Sequence, residues 1–324
     1  MKFSALLCLV PLASARVVRH AQQIPMADNT SDDIPTPQDQ TKHTPPSIGL
    51  QFTTTHAMAA ARYDNGTTRD LVKMEGEPEY QDLMRRWMGS QSGYSGPLES
   101  SDDMVLSSFL IRLRTAIEKQ LDGPVEQAAL ALSPLAPGLQ RKFQKAMVVA
   151  SFAPSQDSVI VYEEAMATHA ALKPASPCTK KSQPGHLQHV LFLAFDDGAF
   201  SASMHEYACR DYSPQAHMIS RLIRADLGWW HLPMYDAPRE KFWAQVQESI
   251  VHVLSPQEKA PGRIVLLGSH AADAEFKNKV EDILWRELEV DVSGMLSVNE
   301  RDDSEWLAAR GAAELASRHA QEES

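Results

Sequence analysis

Four short stretches of the chain carry side chains whose type and spacing suit chemistry. Thr53-Thr54-Thr55 lies between two apolar runs, so three hydroxyls gather at a hairpin tip. Such a tip can hold a phosphate through side-chain donors and backbone N–H groups. Glu164 opens a helical pattern, Asp196-Asp197-Gly198 forms a turn after an apolar run, and Gly268-Ser269 forms another. Two adjacent carboxylates at a tip repel a phosphate unless a cation lies between them. Three of the four also have a plain structural reading: turn and strand threonines, a glutamate suited to a helix N-terminus, and a solvated acidic turn. No His/Cys cluster has metal-ligand spacing, because His205-Glu206 lacks the second histidine of a zinc helix. Gly89-Ser90-Gln91-Ser92-Gly93 is not a nucleophile elbow, since its centre is Gln.

These side chains need elements to position them. Residues 47–74 read as a three-strand meander, and Asn65-Gly66 predicts a type I′ turn, in which both central residues take positive φ. Tyr80–Met88 suits a short helix. Ser101 caps a longer one with Asp102 and Asp103 in its first turn; Leu106, Phe109, Leu110, Leu113 and Ile117 recur at helical spacing up to Gly123. Strands follow at Val125–Leu132 and Ser158–Tyr162, and helices at Gly138–Ala150 and Glu163–Leu172. The Pro-rich Lys173–Gly185 marks a lobe boundary. His189–Phe195 and Phe200–Ala208 form a second hairpin; helices are expected at Pro214–Leu227 and Pro238–Leu254, a buried strand at Arg263–Leu267, a helical face from Phe276 to Leu288, and a last helix at Ser304–His319. Leu227–Tyr235 is rich in aromatics; packing in the core is the first reading, and an exposed partner patch the second. His270 is expected at an exposed helix start. The mixture defines an α/β class.

The chain has 324 residues and a formal net charge of −11, which argues against a general nucleic-acid surface. Residues 1–15 have a Lys, a short apolar run and an Ala13-Ser14-Ala15 ending, the pattern of a secretory signal peptide. No other run is long enough to span a bilayer. The expected location is the secretory pathway and the extracellular space. Residues 16–46 are polar and Pro-rich, and read as a disordered leader. Cys178 and Cys209 form an even pair for an oxidising compartment, so a disulfide is expected. Asn29 and Asn65 open sequons for glycosylation, Asn29 being favoured because Asn65 lies in a tight turn.

The stretch Ile48–Gly66 resembles the first phosphate loop of the 70-kDa heat-shock chaperones, members of the actin-like ATPase (ribonuclease H-like) fold. Four further segments are similar in order: Leu121–Leu132, Val159–Ala171, His189–Met204 and Ile264–Ser269; Ala308–Ala313 is similar to the family's returning helix. The resemblance implies two lobes, each built on a mixed five-stranded sheet, around a nucleotide cleft: lobe I at 47–186, lobe II at 187–302 with a reduced upper subdomain, and a C-terminal helix at 303–324 returning to lobe I. It implies ATP or ADP with Mg²⁺ as cofactor. Thr54 and Thr55 match the family's hydroxyls, Glu164 its metal-organising glutamate, and Gly198, Gly268 and Ser269 its phosphate and adenosine turns. With a one-residue slip, Asp196 supplies a carboxylate. The sequence also departs from the family: Gln51 replaces an Asp, Thr53 a Gly, Ala165 a Pro and Leu267 a Gly, and only Lys73 stands near the family's catalytic lysine. With these departures the expected protein is a secreted, shortened, chaperone-like actin-fold protein with a degenerate nucleotide-binding cleft, acting mainly by binding, with weak or no ATP turnover and a protein among its candidate partners. The alternatives are an active Mg²⁺-dependent ATPase or phosphotransferase, and a scaffold repurposed as a metabolite-tailoring enzyme.

Overall fold

A computed structural model describes residues 45–89, 100–133, 137–172, 188–210, 213–256, 260–289, 291–292, 296 and 304–323. All lie in one compact unit, Thr44–Ser324. Its pivot is β1 (Ser47–Phe52), buried beyond its first residue. β1 pairs antiparallel with β2 (His56–Arg62), which pairs antiparallel with β3 (Thr68–Glu75). On its other side β1 runs parallel to β4 (Ala128–Leu132), and β4 parallel to β5 (Val161–Glu163). The order is β3-β2-β1-β4-β5. Parallel neighbours need long crossovers. Helices α1 (Pro78–Gly89) and α2 (Ser100–Leu121) connect β3 to β4, and α3 (Pro137–Val149) connects β4 to β5.

After α4 (Glu164–Ala171) the plan repeats. β6 (Gln188–Phe195), β7 (Phe200–Arg210) and β8 (Ser213–Arg224) form an antiparallel meander, and β9 (Arg263–Leu267) lies parallel to β6. The order is β8-β7-β6-β9, so the described residues give this sheet four strands where five were expected. Helix α5 (Asp236–Leu254) makes the crossover; α6 (Ala274–Leu288), a 3-10 turn η1 (Ser304–Trp306) and α7 (Leu307–Glu323) follow. The protein is thus α/β with two mixed sheets.

The helix expected at Pro214–Leu227 is strand β8. A bulge explains the misleading pattern. His205 pairs with Met218 and Met204 with Ser220, leaving Ile219 as the extra residue. The bulge flips the alternation. Ile219 and Leu222 pack on the core of the second sheet, while Ile223 packs on that of the first. The resulting spacing of Met218, Ile219, Leu222 and Ile223 imitates a helical stripe. The Asn65-Gly66 turn also differs from type I′. Only Gly66 has a positive φ (83°), with Gly66 N–H donating to Tyr63 C=O at 2.9 Å and Tyr63 N–H to Thr67 C=O at 3.0 Å. This is a three-residue loop with a glycine bulge.

The apolar core has one large cluster per sheet: α1, α2 and α3 cover the first, α5 and α6 the second. Helices α4 and α7 pack against each other and against the first sheet through small residues, Ala129, Ala131, Ala167, Ala308 and Ala312. Tyr207 of β7 ties the second sheet to α4, its hydroxyl donating to Ala165 C=O at 3.3 Å. His169 stacks on the Tyr207 ring at 4.0 Å between centroids, and His205 lies on the same face. Burial pushes both imidazoles down from 6.5 to about 4, helped by Arg263 for His169 and His217 for His205. Each histidine is therefore neutral in the fold and takes a proton more readily when unfolded. Its stabilising effect is complete above pH 6.5 and declines towards pH 4, by about 1.4 kcal/mol per pH unit at most. Denaturant midpoints measured from pH 6.5 to 5 should fall, and the slope should flatten in His169→Phe and His205→Phe.

The signal-peptide pattern at 1–15, the leader up to residue 44 with Asn29, the expected boundary at Lys173–Gly185, Cys178 and the side chain of Cys209 lie outside the described residues. Among the described helices none is long and apolar enough to cross a membrane.

Candidate functional site

The parallel strands of both sheets end at one place. β1 ends at Phe52 before the Thr53-Thr54-Thr55 tip, β4 at Leu132 before Ser133, and β5 at Glu163 before Glu164. In the second sheet β6 ends at Phe195 before Asp196, and β9 at Leu267 before Gly268. Carboxyl ends of parallel strands are where open α/β sheets place their sites. The structure therefore gathers the predicted residues of both sheets at one place.

The first tip is wired to itself. Thr53 Oγ1 accepts from Thr55 N–H at 3.2 Å and His56 N–H at 3.1 Å, and Thr53 N–H donates to His56 C=O at 2.9 Å. Tyr80 Oη donates to Thr53 C=O at 3.0 Å, and Gly76 N–H to Thr55 C=O at 2.7 Å. Three amides that would hold a phosphate are thus engaged within the hairpin. The second tip is equally held. Asp196 Oδ1 accepts from Ser269 N–H at 3.0 Å and Ser269 Oγ at 3.4 Å. Gly268 has φ +91°, and a Cβ there would lie 2.6 Å from Phe195 C=O, so this crossing admits only glycine.

The two tips touch. A Cβ on Gly198 would lie 2.4 Å from Thr54 Oγ1. Thr55 Oγ1 donates to Asp197 Oδ2 at 3.3 Å, and Asp197 Oδ1 pairs with His270 Nε2 at 2.7 Å. The acidic turn is therefore half-buried and partnered, not solvated. His270 belongs to the cleft, not to an exposed helix start: Asp273, accepting from Phe276 N–H at 2.9 Å, caps α6 instead. The chain of contacts extends backwards through the first lobe. Thr55 Oγ1 meets His56 Nδ1 at 2.9 Å, His56 Nε2 lies 3.2 Å from Glu305 of η1, and Lys73 Nζ donates to the same carboxylate. Lys73 is thus an ion-pair partner of Glu305. His56, Glu305 and Ser133 were not singled out from the sequence.

Glu164 lies at the centre. Its Oε1 accepts from Gln51 Nε2 at 2.9 Å and its Oε2 from Ser133 Oγ. Burial pushes the carboxyl up from 4.5 to about 7; the Asp196 charge adds to this, while the Ser133 and Gln51 hydrogen bonds oppose it. Burial also raises Asp196, whereas the hydrogen bond from His270 holds Asp197 below its usual range. Gln51 suits a carboxyl of this kind, because an acid at that position would face it at hydrogen-bond distance and repel its charged form. Met88 from α1 and Ile223 from β8 enclose the site. Two cavities of about 30 and 20 Å³ remain beside Glu164. Sites for nucleotide-sized ligands measure roughly 300 Å³ or more. With the amides engaged and the tips in contact, the arrangement does not fit a nucleoside triphosphate with Mg²⁺. Among the described residues no group of three or more His, Cys, Asp or Glu side chains is arranged to hold a metal ion. A larger recess, about 880 Å³, lies at the opposite end of the first sheet beside Ser47 and Ala128, away from these residues.

The aromatic segment splits between the two readings. Trp229 stacks on His270 at 4.2 Å and packs edge-on against Phe195, and its N–H donates to Asp196 C=O at 2.9 Å. Trp230, Met234 and Tyr235 are 52, 91 and 80% exposed, so for these three the core reading fails. Trp230→Ala should leave thermal stability within about 0.5 kcal/mol of the parent. Trp229→Ala should cost about 2 kcal/mol or more, since it uncovers His270 and Phe195. Calorimetric melting of both variants checks the division.

No protein-family model matches the chain, and no curated protein matches it at a significant level.

Proposed function

We propose that the chain is a shortened, chaperone-like member of the actin-like ATPase fold, related to the 70-kDa heat-shock proteins, that acts by binding and has lost nucleotide turnover. The repeated strand order of the two sheets supports the fold assignment, with α7 packed back on β1, β2 and β4. One observation carries the loss of turnover: Thr54 against Gly198 and Thr55 bonded to Asp197 occupy the space where two hairpins would otherwise close on phosphates. The exposed Trp230, Met234 and Tyr235 support binding of a protein partner beside the cleft. The signal-like residues 1–15 support passage through the secretory pathway. Asn65 is an exposed sequon asparagine whose Oδ1 accepts from Thr67 N–H at 2.9 Å, which keeps its side-chain nitrogen turned outward for a glycan.

Calorimetry on residues 16–324 tests the reading. The expected result is no heat of binding for ATP or ADP, with or without Mg²⁺, on a protein that melts cooperatively. Mg²⁺-dependent binding would overturn it.

One observation favours a second reading. A buried carboxyl brought to about 7 is matched to proton transfer near neutral pH. An enzyme using Glu164 as acid or base would lose all turnover in Glu164→Gln, and ATP hydrolysis by the purified chain would put this reading first.

A further inference from the structure

We infer that the recess of about 880 Å³ at the start of the first sheet is a docking groove for a basic segment of a partner protein. Ligand pockets measure roughly 300–1,000 Å³, so the recess has room for several side chains of a partner. β1 and β4 begin in its wall at Ser47 and Ala128, and the last turns of α2 and α7 meet it at Leu121 and Gln321. Pro46, Ile48, Val125, Ile160, Ala316 and Ala320 give it an apolar lining.

Charge identifies the occupant. Asp64, Glu126 and Asp157 stand exposed around the recess, and none has a hydrogen-bond or ion-pair partner among the described residues. Its described wall residues include no Lys or Arg. Arg62 of β2 and Arg318 of α7 both turn to Glu314 instead, with Arg62 Nε 2.8 Å from Glu314 Oε2 and Arg318 Nη2 3.1 Å from Oε1. The final C=O groups of α2 and α7 add partial negative charge at the same place, because helix C-termini favour cations. An occupant must therefore bring positive charge and apolar surface together. Ile48 and Val125 are buried, whereas the three carboxylates are exposed, so an apolar floor is ringed by a charged rim. Protein interfaces divide in this way, whereas a small cation is held by polar groups placed inside its pocket. The groove rests on the binding role proposed above and gives that role a partner of stated chemistry, without involving the closed tips.

The test probes residues 16–324 with an array of octapeptides of graded charge and apolar content, including overlapping peptides from residues 16–44 of the chain. Peptides with two or more Lys or Arg beside apolar residues should bind, and raising NaCl from about 0.05 to 0.5 M should weaken them about tenfold or more. Asp64→Asn, Glu126→Gln and Asp157→Asn combined should weaken binding about tenfold. Ala320→Trp, at an exposed position, fills the groove without changing charge and should weaken it as much. Trp230→Ala should bind like the parent. If Trp230→Ala abolishes binding and the groove variants do not, the exposed aromatic patch is the partner surface; the groove is then overturned while the binding role stands. Binding indifferent to peptide charge, equal binding by the folded triple variant, or no binding at all would overturn the proposal, and nucleotide calorimetry would still decide the reading above by itself. Binding by the 16–44 peptides alone would make the chain's own leader the occupant. A dimer in sedimentation that Ala320→Trp dissociates would make the occupant a second copy. Either result would overturn the proposal.

Discussion

Glu164→Gln should make the protein more stable at pH 8 and leave it nearly unchanged at pH 4.5. Glu164 has its folded value raised from 4.5 to about 7, so its protonated form belongs to the fold. Its favourable contribution is complete below pH 4.5 and is lost as pH rises to 7. At about 1.4 kcal/mol per unit this loss reaches roughly 3 kcal/mol. Glutamine keeps the shape, accepts from Gln51 through its oxygen and donates to Ser133 through its nitrogen, and does not titrate. The variant minus wild-type difference should therefore grow from near zero at pH 4.5 to about 3 kcal/mol at pH 8, seen as a higher denaturant midpoint. A difference independent of pH would mean that Glu164 is ionised throughout. The same background clarifies the acid limb, because Glu164 and the two buried histidines pull in opposite directions between pH 6.5 and 5. With Glu164 replaced, the decline due to His169 and His205 should steepen.

A metal-organising carboxylate needs to be ionised beside a cation, with a second acid near it. Here the neighbouring position is Gln51, Asp196 is the acid whose charge acts on Glu164, and burial raises both carboxyls above their usual range. Glu164 is bonded to Ser133 and Gln51, and Asp196 to Ser269. The charged residues are moved outward, to Asp197 with His270 and to Glu305 with His56 and Lys73. The two tips are thus joined by hydroxyl, carboxyl and imidazole side chains.

Much of this was legible along the chain. Strands β1, β6, β7 and β9 are apolar runs bounded by turn residues, and they carry Thr53, Asp196, Gly198 and Gly268 to the places where the tips meet. The two Asp of the second turn were not legible as partnered groups, since Ser269 reaches Asp196, and His270 and Thr55 reach Asp197, only through folding. Glu305 was invisible for the same reason: it lies 232 positions from Lys73, in an acidic stretch with no pattern of its own. Ser133 is a single polar residue after a strand, and nothing local distinguishes it. Strand β8 was misread because one bulged residue, Ile219, converts a two-residue period into an imitation of a helical one. The exposure of Trp230, Met234 and Tyr235 was hidden by composition, since an aromatic run reads alike in a core and on a surface.

Gly311→Ala should be the most damaging single change on the surface between α4 and α7. A Cβ at Gly311 would lie 1.6 Å from Ala167 C=O and 2.3 Å from the carbonyl carbon, both backbone atoms that no rotamer can move. Gly49 makes the matching approach on the other side of α7, where a Cβ would lie 2.2 Å from Ala309 C=O. Helix α7 is therefore gripped between β1 and α4 at two glycine contacts. Inserting a methyl group must push it away from α4, and overpacking on that scale costs about 3 kcal/mol or more. The displacement reaches the site, because α7 continues η1 and carries Glu305 against His56 and Lys73. Ala167→Gly should not rescue the variant, since the clash is with backbone and not with the alanine methyl. Gly123→Ala, whose Cβ meets nothing nearer than 4.0 Å, should stay within about 0.5 kcal/mol of the parent. Denaturant midpoints of these variants decide the point: a Gly311→Ala protein as stable as Gly123→Ala would mean that α7 is not held against α4 at this crossing.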